Sequence, residues 1–183
     1  MHILFLEKYF FVKDFEPNLI KCQDKNTVII YRNYDKIHNI RELKNLKSFC
    51  KSNHYKFILA NDIKLALKLG VDGVYLPSFN NKYEHLSYSI KKSFILLGSA
   101  HNYKEIKIKE KQGVNKIFLS SLFKKNKNFL GLYKFKILEN ISSNKCVALG
   151  GISEKNIKKI KLTNVIGFAG ISFFKKKAPI KGP

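Results

Sequence analysis

Arginine is almost missing from this chain. Of 35 basic residues only Arg32 and Arg41 are arginines, set against 13 acidic residues and a formal charge of +22. Readers of bases and phosphate backbones lean on the planar guanidinium fork. Lysines scattered along the whole sequence therefore argue against a dedicated nucleic-acid reader, and no helix-turn-helix, zinc-finger or RNA-recognition pattern accompanies them. A compositional bias towards Lys, Asn and Ile explains the charge as well as a polyanionic partner does. A basic nucleic-acid- or membrane-surface-binding protein is kept as a remote alternative. The same positive field would draw in phosphorylated small molecules.

Long apolar runs are absent too. None approaches the ~18 residues of a membrane span. The opening MHILFLEKYF places Glu7 and Lys8 too early for a secretory signal. Cysteine is sparse: Cys22, Cys50 and Cys146 are odd in number, widely spaced and form no CxxC. They read as reduced packing residues of a cytoplasmic protein. His2, His38, His54 and His85 show no metal spacing.

What the chain does have is 183 residues, 45% of them hydrophobic, enough for one core. Short apolar runs recur at residues 3–6, 27–31, 56–60, 73–76, 94–97, 116–120, 146–152 and 165–169. They alternate with segments of helical character. Pro17 suits the first turn of a short helix, and Ile37, Ile40, Leu43, Leu46 and Cys50 keep helical spacing. Further helices are expected through Ala66–Leu69, Tyr83–Lys92, Asn102–Gln112, Gly131–Ile141 and Glu154–Lys161. An internal echo supports the repeat: Gly70-Val71-Asp72 and Gly113-Val114-Asn115 each stop a helix and lead into a strand. Continuous apolar strands need cover on both faces, which helices give a parallel sheet. Eight such units predict an α/β TIM (β/α)8 barrel over residues 1–174, with a shortened C-terminal end and a basic tail at 175–183. An open doubly wound sheet is the competitor.

Function in such a barrel gathers at the C-terminal strand ends. Those ends hold Arg32, Asn61, Asp62, Asn80, Ser99, His101, the Lys124–Lys127 loop, Gly150, Gly151, Gly170, Ile171 and Ser172. The stretch CVALGGI followed by SEKN stands out. Two glycines let a backbone pass close to a ligand, and a helix starting beyond Ser153 would offer N–H groups to a phosphate. Phosphate sites in these barrels use the loops after strands seven and eight, where both glycine bends fall.

The segments FILANDIKLALKLGVDGVYL, LLGSAH and CVALGGISEKN followed by GFAGIS resemble the thiamine-phosphate synthase / TenI family, in the same order from about Thr27 to Phe174. The resemblance implies a transferase of thiamine biosynthesis that joins a hydroxymethylpyrimidine pyrophosphate to a thiazole phosphate, with magnesium, and releases pyrophosphate. It implies that Arg32 holds the pyrophosphate, that Asn61 and Asp62 reach the pyrimidine substrate and metal, and that Ser99 contacts phosphate. Gly150, Gly151, Gly170, Ile171 and Ser172 would hold the thiazole phosphate, and Lys127 stands nearest to the family's loop lysine. Arg32, Asp62 and His101 would be catalytic. His101 stands where a TenI-like tautomerase would place a proton-moving histidine. The chain departs from the pattern at Ile30 and Tyr34, where the family has polar groups. It departs again at Asn80, which replaces the second metal-binding aspartate beside Asp62. The alternative is a TenI-like thiazole tautomerase or a non-catalytic phosphate-ligand-binding relative. The partners implied are the two phosphorylated small molecules, and a homodimer is compatible with the resemblance.

Overall fold

Eight parallel strands close on themselves in a computed structural model that describes residues 6–34 and 39–175. The strands are β1 (Glu7–Val12), β2 (Thr27–Tyr31), β3 (Phe57–Ala60), β4 (Gly73–Leu76), β5 (Ile95–Ala100), β6 (Lys116–Leu119), β7 (Lys145–Leu149) and β8 (Gly167–Gly170). Each pairs with its sequence neighbours, and β8 returns to β1 with Lys8 opposite Phe168. The helices are α1 (Pro17–Lys21), α2 (Ile40–Ser52), α3 (Ile63–Leu69), α4 (Tyr103–Lys111), α5 (Gly131–Ile141) and α6 (Ser172–Lys175). The expected barrel is therefore present. Among the described residues no helix is long and apolar enough to cross a membrane.

Strand alternation splits the apolar residues into two clusters. Phe10, Val12, Ile29, Tyr31, Leu59 and Ile117 face outward into the layer shared with the helices. Tyr9, Phe11, Ile30, Tyr75, Leu97 and Phe118 face the lumen. Four of the lumen residues are aromatic and meet edge to face. Ring centroids lie 4.8 Å apart for Tyr9–Phe118, 5.2 Å for Phe11–Tyr75 and 5.4 Å for Tyr75–Phe118. That geometry suits the ring quadrupoles. Beneath them, Lys116 Nζ donates to both Glu7 oxygens at 2.7 Å and to the Tyr9 hydroxyl at 3.2 Å. An ion pair thus spans part of the N-terminal end of the lumen.

The echoed triplets are a repeated joint. Gly70 and Gly113 both take left-handed backbone, at φ +61° and +70°. Asp72 Oδ2 then accepts from Phe57 N at 2.8 Å, and Asn115 Oδ1 accepts from Leu96 N at 2.7 Å. Each side chain pins the start of the preceding strand.

Several expectations need correction. The first strand is Glu7–Val12, later than the apolar run at 3–6, of which residues 3–5 lie outside the described residues. Glu7 and Lys8 are tolerated there because the rim offers them Lys116 and Asp24. Ile37 and the tail from residue 176 also lie outside the described residues. Tyr83–Lys92 yields only a 3₁₀ turn at Glu84–Ser87. The expected helix at Glu154–Lys161 is a 3₁₀ segment at Ile157–Leu162, and Ser153 does not cap it. Instead Asn156 folds the approach, accepting from Ser153 N at 2.9 Å and donating to Gly151 O at 2.8 Å. Cys50 and Cys146 are buried, and burial pushes their thiols up to about 12 and about 11. Cys22 is exposed and so is not a packing residue.

Phe118 touches three of the lumen rings and is fully buried. Phe118→Ala should cost about 3–5 kcal/mol of stability, measured by denaturant unfolding.

Candidate active site

The C-terminal strand ends rim one mouth. β7, β8, β1 and β2 are successive neighbours, so the glycine bends after β7 and β8 lie on the same rim as Arg32. Arg32 follows β2 directly, its N donating to Val12 O at 2.8 Å. Its guanidinium carbon sits 4.4 Å from the Phe11 ring centroid, a cation–π contact. The Arg32 charge and the buried Ser99 lie near enough to the Tyr75 hydroxyl to oppose the burial that pushes its pKa up. The lumen aromatics therefore carry, on their upper side, an arginine, a serine and a phenol.

Asn61 and Asp62 follow β3. Asn61 holds φ +64° and its Oδ1 accepts from Asn80 Nδ2 at 2.8 Å. Asp62 Oδ1 caps α3, accepting from Leu65 N at 2.9 Å. With Asn80 these residues line a cavity of about 270 Å³. Sequence reasoning missed the neighbouring aromatic pair. Tyr34, after β2, meets Phe79, after β4, edge to face at 5.4 Å. Both stay exposed, at 44% and 61%, offering a flat apolar surface between two strand-end loops. Exposed aromatics in strand-end loops were the available signal.

His101 follows β5. Glu105 Oε2 accepts from His101 N at 2.8 Å and lies 2.9 Å from Nδ1. Glu105 Oε1 accepts from Asn102 Nδ2 at 2.9 Å. The tautomer protonated on Nδ1 satisfies Glu105 and leaves Nε2 as the basic nitrogen. Nε2 has no partner among the described residues.

At the β7 bend, Gly150 and Gly151 adopt φ +99° and +75°. A Cβ on Gly150 would lie 2.4 Å from Ser121 Oγ, and one on Gly151 2.4 Å from Lys124 N. Gly150 O accepts from Phe123 N at 2.9 Å and Lys124 N at 3.2 Å. The close approach that requires glycine is thus made by the β6–α5 loop, which lies against the bend. That contact anchors the loop bearing the exposed Lys124 and Lys127. After β8, Ile171 packs on the lumen cluster and Ser172 opens the four-residue α6. Among the described residues nothing would lie within 4 Å of a Cβ at Gly170, so they leave this bend open.

Magnesium is a hard cation held by carboxylates and phosphate oxygens. Among the described residues no group of three His, Cys, Asp or Glu could hold a metal. Asp62 keeps one carboxylate oxygen beyond its cap, while Asn80 Oδ1 accepts from Lys82 N at 3.0 Å. This donor set fits an ion brought in with a pyrophosphate, since magnesium often takes only one or two carboxylates beside substrate phosphates.

Asp62→Ala should lower stability by about 1 kcal/mol, the usual loss for an N-cap, seen as a shifted denaturation midpoint. Asp62→Asn keeps a good cap and should leave the midpoint in place. Both variants should weaken calorimetric binding of magnesium pyrophosphate.

Comparison with known proteins places the chain in a family. The family model described as thiamine monophosphate synthase matches residues 19–174. The thiamine-phosphate synthase of Latilactobacillus sakei is 30% identical over 135 residues, covering 70% of this chain and 60% of that protein. The thiamine-phosphate synthase of Coprothermobacter proteolyticus is 29% identical over 141 residues, covering 75% of this chain and 67% of that protein. Among solved structures, a thiamine phosphate pyrophosphorylase from Pyrococcus furiosus shares the fold. Its TM-score is 0.72 at 20% identity, covering 94% of this chain and 92% of that one. With a match that runs from α1 to α6, the chain belongs to the thiamine monophosphate synthase family.

Proposed function

We propose that this chain joins a hydroxymethylpyrimidine pyrophosphate to a thiazole phosphate, releasing pyrophosphate and forming thiamine phosphate. The observation that carries the reading is Arg32, held over Phe11 at the head of the lumen and on the same rim as both glycine bends. Its fork can take two pyrophosphate oxygens at once, with Ser99 and Asn61 as further donors and Lys127 reaching from its loop. The Tyr34–Phe79 pair offers the pyrimidine ring an aromatic wall. The bends at Gly150–Gly151 and Gly170–Ser172 would take the thiazole phosphate through backbone N–H groups and the Ser172 hydroxyl.

The bond that breaks joins the pyrimidine's methylene carbon to pyrophosphate oxygen. Its electron pair leaves with the oxygen, leaving a benzyl-like cation. The thiazole nitrogen lone pair then forms the new C–N bond, and the positive charge remains on the thiazolium ring. Arg32 stabilises the charge developing on the leaving group, and the two subsites align carbon with nitrogen. Asp62 would hold magnesium on the pyrophosphate, which would neutralise part of the departing charge. The free thiols of Cys22, Cys50 and Cys146 suit a reducing, cytoplasmic setting.

A second reading rests on the His101–Glu105 pair. A histidine oriented by a carboxylate can take and return a proton, as a thiazole tautomerase requires. Incubation with both substrates and magnesium decides between them. Synthase activity predicts thiamine phosphate and pyrophosphate in equal amounts, with kcat/KM falling about 10²–10³-fold in Arg32→Ala. No product from the wild type, together with thiazole isomerisation lost in His101→Ala, would establish the tautomerase instead.

A further inference from the structure

The connection from β4 to β5 has no α-helix to pack it down, only the Glu84–Ser87 turn. It is held by α4 through a buried polar clasp. Lys109 is fully buried at 0% exposure. Its Nζ donates to Asn80 O at 2.7 Å and to Gln112 Oε1 at 2.9 Å. Gln112, also fully buried, donates from Nε2 to Asn80 O at 3.0 Å and to Lys82 O at 2.8 Å. His85 Nε2 closes the clasp 2.8 Å from Gln112 O. Room for the lysine stem comes from Gly98, where a Cβ would lie 2.8 Å from Lys109 Cδ.

A buried ammonium with no ion pair among the described residues, only the more distant charge of Glu105, is a poor choice if packing is the only purpose. Desolvation of the charge is unfavourable, and an apolar residue of similar volume is often neutral or better for stability. Burial accordingly lowers the Lys109 pKa to about 8, which still leaves it mostly charged at neutral pH. What the lysine gains is a donor able to reach one backbone carbonyl, that of Asn80. Asn80 then bonds Asn61 at 2.8 Å, and Asn61 adjoins Asp62. Buried cation, loop carbonyl and strand-end amide form one chain leading into the site.

We propose that Lys109 is a positioning residue for the pyrophosphate subsite, fixing Asn80 against Asn61 so that Asn61 and Asp62 face the pyrophosphate. The identity of that ligand rests on the proposed function, while the positioning does not. Lys109 touches no substrate. It acts on the pyrimidine side alone, because the thiazole-phosphate bends lie after β7 and β8 and share none of these bonds.

The test is Lys109→Met, near in length and apolar, in the full chain. Thermal unfolding should stay cooperative, with a midpoint close to wild type. KM for the pyrimidine pyrophosphate should rise roughly tenfold, the usual scale for losing a supporting partner, while KM for the thiazole phosphate stays within about twofold. Calorimetry with inorganic pyrophosphate should show the same loss, and this arm decides the matter even if the wild type does not turn over. Gly98→Ala, which pushes the lysine stem aside, should reproduce the selective loss. Should Lys109→Met fail to fold, Gly98→Ala carries the same comparison. Unchanged pyrophosphate affinity in a folded variant overturns the proposal. So does an equal loss for both substrates, which would mean general loosening.

Discussion

Eight parallel strands close only if every second side chain fits inside the ring, and here the inner set is weighted towards aromatics. Tyr9, Phe11, Tyr75 and Phe118 interlock edge to face. Nothing small would fill that space at native density. The consequence for the site is direct. A filled lumen gives Arg32 a floor, and Phe11 provides it as a ring face. Tyr75 adds a buried phenol near Ser99 and Arg32. The arginine's position is thus set by apolar packing below it as much as by any polar partner.

The two halves of the mouth are built on different principles. After β7 and β8 the rim groups are mostly backbone, placed by glycine bends and by the loop that lies on them. After β2, β3 and β4 they are side chains, placed by hydrogen bonds among Asn61, Asn80 and the α4 clasp. The bend after β7 admits only glycine, since a Cβ at Gly150 or Gly151 would strike the β6–α5 loop. The side-chain half is where the family resemblance of the sequence is interrupted, at Ile30, Tyr34 and Asn80.

What could be read from sequence follows the same division. β2, β4 and α5 match their expected limits because apolar runs or helical spacing are bounded by clear breakers. β1 was obscured because Glu7 and Lys8 look like a break until the fold supplies Lys116 and Asp24 as partners. The helices foreseen at Tyr83–Lys92 and Glu154–Lys161 failed because their apolar positions are too few to build a face. At the site, residue types at strand ends were legible. The Asp62 cap on α3 was legible too, being local. Distant partners were not: the Tyr34–Phe79 contact and the clasp around Asn80 join residues far apart in sequence. The paired glycines mark a close approach, and in the structure it is the β6–α5 loop that approaches.

A barrel with so few full helices must hold its loops by other means, and the solution recurs. Where the helix after β4 is missing, Lys109 and Gln112 grip backbone carbonyls of the connection. Where the helix after β7 is missing, Asn156 spans Gly151 and Ser153, and Glu139 on α5 accepts from Asn164 N at 3.1 Å. In each case a side-chain amide, carboxylate or ammonium binds main chain that a helix would otherwise have packed. Such bonds are directional, whereas apolar packing is not. They fix loop geometry at a modest contribution to stability per bond. A short chain can therefore keep an ordered rim without a complete outer layer, because order at the mouth depends on where each donor points more than on how much surface is buried.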